Sequence, residues 1–198
     1  MTTETSTTET PTAAVRTVDG VELPAVGTWA LDPAHTSIGF VGRHMMVTKV
    51  RGSFGEVAGT IEVGETPEDT VVSVEVQLAS VSTGAEDRDN HLRSADFFDV
   101  EQYPTMTFRS TRIEADGDAW KLHGDLTLHG VTKPLTLDAE YHGVVNDPWG
   151  NAKAQFSASG EIEREAYGLT WNVALESGGV LVSKKIKLEI EAQAALQA

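Results

Sequence analysis

The sequence predicts an all-β protein of about eight antiparallel strands, arranged as a sandwich or a barrel, with one short helix. Apolar and polar residues alternate with a period of two through most of the chain after residue 27, which is typical of half-buried antiparallel strands. Short turn signals rich in Gly, Asp, Asn and Pro separate these segments. A regular series of short alternating strands favours a sandwich or a barrel.

The alternation is clearest in four segments. In residues 71–79 Val72, Val74, Val76 and Leu78 alternate with polar residues, and residues 120–128, 134–142 and 184–190 repeat the pattern. Four further segments, in which apolar and polar residues alternate less regularly, complete the predicted series of strands. The predicted strands are 36–44, 53–63, 71–79, 105–114, 120–128, 134–142, 152–163 and 184–190.

A single helix is predicted at about residues 84–94. Thr83 and Glu86 have the spacing of a capping box. Asp87 and Asp89 follow in the first turn, where the helix dipole stabilises carboxylates. A loop through Phe97 and Phe98 comes next.

The chain is predicted to hold one folded domain behind an N-terminal tail, since 198 residues fit one domain. Residues 1–14 consist largely of Thr and Glu without bulky apolar side chains, which predicts disorder. The few hydrophobic residues of 15–27 are expected to lie on the domain surface. We therefore predict a tail and lead-in at 1–27 and a folded domain at 28–198.

Composition argues against several classes of function. The net charge of -15 disfavours nucleic acid and anionic membranes as partners. The absence of cysteine excludes disulfides, thiolate catalysis and Cys-ligated metals. No apolar run approaches the ~18 residues of a spanning helix, so stable membrane insertion is not expected. No signal peptide is recognised, which predicts a cytoplasmic protein.

Four motifs, in order and at compatible spacing, resemble the YceI-like family. They are DPAHTSIGF at 32–40 with His44, RDNHL at 88–92 with DFFD at 96–99 and Tyr103-Pro104, GDLTLHGVTKP at 124–134, and AYGL at 166–169. The resemblance spans residues 28 to about 192. It implies an eight-stranded, lipocalin-like antiparallel barrel that holds an isoprenoid quinone or a polyprenyl phosphate in its lumen. Many members of the family are periplasmic or secreted.

With this resemblance, the expected function is non-enzymatic binding, storage or transport of an isoprenoid lipid, with no required cofactor. Apolar residues on the inferred inward face would line the lumen, because each buried methylene contributes roughly 0.8 kcal/mol. Polar residues near the helix would meet the head group: His44, Arg88, Asp89 and His91. The predicted lumen residues are Ile38, Phe40, Val74, Val76, Leu78, Phe97, Phe98, Met106, Phe108, Leu122, Leu126, Leu128, Leu137, Tyr141, Phe156 and Trp171.

Other interpretations remain open at this stage. The inward residues could simply pack on one another, giving a structural stress-response protein with a filled core, and alternation alone favours that arrangement. Arg88 and Asp89 could stabilise the helix instead of binding a ligand. A barrel enzyme or isomerase would need a titratable pair in the lumen, for which His44, Tyr141 and Glu56 are the candidates.

No metal site and no catalytic residue is predicted. His123 and His129 share one face of a strand but lie roughly 20 Å apart, too far to hold one ion. No Gly-x-Ser-x-Gly elbow and no phosphate-binding glycine loop is present. An outward face carrying Val41, or the edges of an incompletely closed barrel, would allow two copies to pair as a homodimer.

Overall fold

The computed structural model describes residues 14–18, 20–176 and 178–197. Within these ranges the chain forms thirteen strands, one α-helix and three short 3₁₀ turns, the turns at Pro67–Asp69, Leu78–Ser80 and Arg164–Tyr167. The strands are β1 (Val15–Val18), β2 (Val21–Pro24), β3 (Gly27–Leu31), β4 (Ser37–His44), β5 (Thr48–Phe54), β6 (Val57–Val63), β7 (Val71–Gln77), β8 (Val81–Ser82), β9 (Thr105–Asp116), β10 (Ala119–Leu128), β11 (Val131–Asn146), β12 (Ala152–Glu163) and β13 (Lys185–Leu196), and the helix is α1 (Glu86–Arg93).

Eight of the strands close into a barrel. Their order is β12-β11-β10-β9-β7-β6-β3-β13, and β13 pairs back onto β12. Every pairing is antiparallel. The prediction of an eight-stranded antiparallel barrel with a short helix is confirmed.

One side of the barrel wall bends, and the bend divides the molecule into two levels. β13 pairs with β3 through Ala194–Leu196 and with β4 through residues 187–191. The same change of partner occurs along the next strands, because β6 pairs with β3 and β7, while β5 pairs with β4 and β8. The upper level therefore continues the sheet through β4, β5 and β8 without returning to β9.

The bend lies where the strands are interrupted by residues that cannot continue a regular ladder. Between β3 and β4, Pro33 has no amide hydrogen to donate, and Asp32 instead donates its backbone N–H to Gln193 O at 2.7 Å. The Asp32 carboxylate also accepts from Lys153 Nζ at 2.9 Å and contacts His35 Nδ1 at 3.0 Å. These contacts, led by Lys153, lower the pKa of Asp32 to about 2.

The two ends of the barrel are closed differently. The lower end carries the turns at 64–70, 117–118 and 147–151 and the hairpin of β1 and β2, which forms a two-stranded sheet of its own. Arg16 ties this hairpin to the barrel by donating to Gly64 O and Glu65 O, both at 2.6 Å. The upper end carries α1, the loop at 94–104 and the long connection at 164–184. The helix is the single α-helix of the described ranges, and no helix there is long and apolar enough to cross a membrane.

Several boundaries differ from the sequence prediction. Strands β3 and β5 were not predicted, and the predicted strand 53–63 is broken at Gly55-Glu56. The predicted capping box is wrong, because the residue that precedes the helix is Ala85 and Thr83 pairs with Asp89 instead. Of the predicted lead-in, Val15–Val18 and Val21–Pro24 form the hairpin. The predicted disordered tail lies almost wholly outside the described residues.

Candidate functional site: a lumen with two chambers

The lower level of the barrel encloses an apolar cavity of about 240 Å³. We call it the lower chamber. Its walls are the inward faces of the closed ring of strands, because side chains alternate between the two faces of each strand. Leu23 and Pro24 of the hairpin, together with Arg16, lie at its floor. The lower chamber is therefore closed below by a segment that is not part of the barrel sheet.

The upper level encloses a second cavity, of about 460 Å³, which we call the upper chamber. Its walls come partly from β4, β5 and β13 and partly from α1 and the loops at the upper end. This volume lies within the range of roughly 300–1,000 Å³ that is usual for ligand pockets. The ring of Phe40 forms part of its wall and packs over Gly52 of the neighbouring strand β5. A Cβ at position 52 would lie 2.3 Å from this ring, so the ring can take this position because residue 52 is glycine.

The two chambers share part of their walls. Met106, Leu128, Ile162 and Leu188 line both cavities. All four side chains are apolar, so nothing polar separates the chambers at this boundary. We call these four residues the neck.

Most of the predicted lumen residues line one of the two chambers. Phe40, Phe97, Phe98 and Trp171 line the upper chamber, and the mouth residues His44, Arg88 and His91 line it as well. The following line the lower chamber: Ile38, Val74, Val76, Met106, Phe108, Leu122, Leu126, Leu128, Leu137, Tyr141 and Phe156.

Two of the predicted site residues line neither chamber. Leu78 is fully buried, but β7 ends at Gln77 and Leu78 begins a 3₁₀ turn, so the inward alternation no longer applies to it. Asp89 is buried and accepts from the Thr83 backbone N–H at 2.8 Å and from Thr83 Oγ1 at 2.5 Å. Asp89 therefore fixes the start of the helix and is not placed to meet a ligand.

Arg88 and His91 combine a structural contact with a position on the upper chamber. Arg88 donates from Nε to Thr83 Oγ1 at 2.7 Å and from Nη2 to Thr83 O at 3.0 Å. His91 Nε2 lies 2.9 Å from Asp96 Oδ2, and its ring meets Phe97 and Trp171 edge-on at 5.0 and 4.6 Å. The helix thus presents a cation and an imidazole to the cavity on a fixed support.

The aromatic pair after the helix both lines the cavity and attaches the loop. Phe98 lies 5.7 Å from Phe54, which in turn lies 5.6 Å from Phe40. Phe97 is buried and packs on Trp171 at 5.3 Å. Both rings line the upper chamber, and Phe98 packs toward β5 while Phe97 packs toward the 164–184 connection.

Arg164 is a site residue that sequence reasoning did not identify. It is buried, lines the upper chamber, and donates to the carbonyl oxygens of Ser183, Leu169, Trp171 and Val182. Burial lowers the pKa of this guanidinium. Arg164 begins a 3₁₀ turn directly after β12 ends at Glu163, so the alternation of the strand gave no signal for it.

The upper chamber carries a positive excess of charged groups. Arg43, Arg88 and Arg164 line it with His44 and His91, whereas Asp87 is the carboxylate among the described lining residues. In the lower chamber the polar group that stands out is Tyr141, whose buried hydroxyl has no hydrogen-bond partner among the residues that the structure describes. Desolvation, with a smaller contribution from Glu22, raises the pKa of Tyr141 to about 12.

The candidates for an enzymatic pair do not come together. His44 lines the upper chamber and Tyr141 the lower one, and Glu56 lies at the bend between β5 and β6 and lines neither. His35 pairs with Asp32 and His91 with Asp96. No group of three or more His, Asp or Glu side chains suited to a metal ion occurs among the residues that the structure describes.

Comparison with known proteins agrees with this architecture. Residues 29–194 match the model of the YceI-like domain. A UPF0312 protein of Staphylococcus aureus strain N315 is 36% identical over 168 residues, covering 83% of this chain and 95% of that protein. The crystal structure of a Campylobacter jejuni YCEI protein superposes with a TM-score of 0.67 at 33% identity, covering 79% of this chain and 90% of that one.

A more distant structure has the same fold. It is described as a polyisoprenoid binding domain from Saccharophagus degradans, and it superposes with a TM-score of 0.58 at 16% identity, covering 85% of this chain and 98% of that one.

Proposed function

Because the chain belongs to the YceI-like family, we propose that it binds an isoprenoid lipid without transforming it, and so stores or transports that lipid. The observation that carries this proposal is the pair of chambers that share the four apolar residues of the neck, with charged groups concentrated in the upper one. A prenyl tail would occupy the neck and the lower chamber, and the head group would occupy the upper chamber. The description of the Saccharophagus degradans domain as polyisoprenoid-binding supports the same ligand class.

The charges of the upper chamber favour a head group that accepts hydrogen bonds or carries negative charge. Guanidinium groups bind phosphate through charge-assisted hydrogen bonds, which are stronger than neutral ones. A polyprenyl phosphate would therefore gain more from this chamber than an isoprenoid quinone, although the carbonyls of a quinone could also accept from Arg88 or His91. A binding role needs no cofactor.

Native mass spectrometry of the protein purified from cells would test the proposal. We expect one isoprenoid per chain, which organic solvent should release. Geranylgeranyl phosphate and a short-chain isoprenoid quinone should both bind the emptied protein. If nothing co-purifies and neither probe binds, the proposed function is wrong.

A substitution at the mouth would identify the preferred head group. Arg88→Gln should weaken geranylgeranyl phosphate by about tenfold, because it removes a charge-assisted hydrogen bond. The quinone should change by about twofold or less. Arg112→Gln is the matched control, because Arg112 lies outside both chambers and pairs with Glu114. Equal effects of Arg88→Gln on both probes would argue against a phosphate partner.

A further inference from the structure

The turn between β4 and β5 exposes three apolar side chains beside the upper chamber. Met45, Met46 and Val47 are 50%, 52% and 75% exposed. The chain on both sides of them, through His44 and Val50, lines the chamber. We call residues 45–47 the tip.

The tip is not the sequence that a tight turn would favour. Met45 and Met46 have φ of 51° and 63°, and Val47 N donates to His44 O at 3.1 Å, as in a two-residue hairpin turn. Asn and Gly are preferred where both central residues need positive φ, because a side chain on Cβ strains this conformation. Two large apolar residues here indicate that the exposed surface has a role beyond reversing the chain.

The chain around the tip is free of acidic residues, although the protein as a whole is strongly acidic. Residues 33–55 and 177–188 contain no Asp or Glu, whereas the chain has 30. These two segments meet at the tip: Met45 N donates to Leu181 O at 2.7 Å, and Ser183 N donates to Arg43 O at 2.9 Å. Together they hold six of the 15 cationic side chains, namely Arg43, Lys49, Arg51, Lys184, Lys185 and Lys187.

Four carboxylates border this surface, and three of them pair with its cations. Glu165 binds Lys184 and Glu161 binds Lys185, both at 2.8 Å, while Glu189 contacts Lys187 and Arg51 at 3.0 Å. Glu163 lies in the same region. Arg43 and Lys49, the cations nearest the tip, form no ion pair among the described residues, so positive charge remains beside the exposed apolar residues.

We propose that the tip and its basic surroundings dock the upper mouth on the surface of an anionic lipid bilayer. Apolar side chains at the end of a fixed hairpin can enter the boundary between head groups and acyl chains, while neighbouring cations meet anionic lipids. This contact is peripheral and reversible. It rests on the proposed function for its purpose, since it would place the opening of the lumen where an isoprenoid can leave or enter the bilayer.

Vesicle flotation of the full chain tests the proposal. The protein should float with phosphatidylcholine vesicles that contain about one third phosphatidylglycerol, bind vesicles of phosphatidylcholine alone more weakly, and lose binding at high salt as the charges are screened. Lys49→Ala should weaken partitioning about fivefold, the effect of removing one cation near an anionic surface. Val47→Asp should weaken it about tenfold, because a carboxylate replaces the most exposed apolar residue of the tip.

Trp149→Asp is the matched control. Trp149 is 85% exposed in the turn between β11 and β12 at the opposite end, so the same type of substitution there should leave flotation unchanged. Neither Val47 nor Lys49 lines a chamber, and both variants should still bind geranylgeranyl phosphate in solution.

The absence of cysteine allows a direct measurement of the contact. A polarity-sensitive dye on Met46→Cys should shift to shorter wavelength with anionic vesicles, whereas the same dye on Trp149→Cys should not. The docking proposal is overturned if the wild-type chain does not float, if Val47→Asp floats as well as wild type, or if light scattering shows that Val47→Asp instead dissociates a dimer. None of these results would alter ligand binding in solution, which tests the proposed function separately.

Discussion

The lower and upper chambers differ in how their walls are built and in what those walls present. The lower chamber is enclosed by a complete ring of hydrogen-bonded strands, whose inward positions are almost all apolar. The upper chamber lies where the ring is incomplete, and α1 and the 164–184 connection supply the missing wall. Closed strands suit a hydrocarbon tail, since they leave no backbone groups unpaired, while helix and loop residues can bring charges to a head group.

The chemistry of the two ends follows the same division. The lower end carries Glu65, Glu68, Asp69, Asp116, Asp118 and Asp147. At the upper end the tip joins the two acid-free segments of the chain, while α1 and the loop at 94–104 carry six carboxylates. The surface without carboxylates is therefore confined to the tip and the two segments that meet there, and does not extend over the whole upper end. An anionic surface would therefore repel the turns of the lower end, and the tip is the part of the upper end that is suited to meet it.

The largest effect is expected from a substitution of Arg164, whose buried side chain supports the wall of the upper chamber but not that of the lower one. Arg164→Met removes the guanidinium donor of four backbone carbonyls of the upper wall, of which Val182 O keeps Asn172 Nδ2 as a donor, so we expect the free energy of unfolding to fall by about 3 kcal/mol. Binding of geranylgeranyl phosphate should fall with it, because Leu169, Trp171 and Val182 line the chamber. Urea denaturation and ligand titration measure the two effects.

Arg112→Met is the control for this substitution. Arg112 is exposed and paired with Glu114, so its loss should change stability by about 0.5 kcal/mol or less. A similar small effect for Arg164→Met would show that the upper wall does not depend on the buried guanidinium.

The neck determines whether the two chambers act as one site. Met106→Trp places a larger side chain in the shared wall and should close the passage. Geranylgeraniol, whose tail would extend into the lower chamber, should bind about tenfold weaker or worse, because its buried methylenes are lost. Geraniol should change by about twofold or less, since it needs only the upper chamber.

Thr107→Trp is the matched control, because the adjacent residue of β9 faces away from the lumen. If both alcohols lose affinity equally in Met106→Trp, the passage between the chambers is not what the long chain uses. Displacement of a fluorescent fatty-acid analogue would report both affinities.

The lower chamber was largely predictable from the sequence, and the upper one was not. Val74, Phe108 and Leu126 lie on long regular strands, where a period of two identifies the inward face. The prediction that Leu78 lines the lumen was wrong because β7 ends one residue earlier, at Gln77, and the alternation in the sequence does not show where a strand ends. The division into chambers depends on bends near Asp32 and Gly55, and these arise from partner strands far away in the sequence.

Contacts between distant parts of the sequence also explain why the residues that close the two ends of the barrel were not predicted. Arg16 reaches carbonyls 48 and 49 residues away, and Arg164 binds carbonyls on both sides of its own loop. Long-range contacts of single polar side chains leave no periodic signal. The resemblance to the YceI-like family supplied the barrel and the block around Arg88, but the hairpin of β1 and β2 lies outside the matched residues 29–194.

Tyr141 provides the finest test of how apolar the lower chamber is. Its buried hydroxyl has no hydrogen-bond partner within the described part of the chain, and the raised pKa of about 12 keeps it protonated at neutral pH. Tyr141→Phe removes the desolvated hydroxyl while keeping the ring that packs on Phe156 at 5.4 Å, so the empty protein should be more stable by about 1 kcal/mol. Thermal unfolding measures this, and Tyr103→Phe, outside both chambers, is the control.

If the lower chamber holds only hydrocarbon, geranylgeraniol should bind Tyr141→Phe at least as well as wild type. A loss of about tenfold would instead mean that the bound ligand carries a hydrogen-bond acceptor deep in the barrel, because only such a group would pair with this hydroxyl.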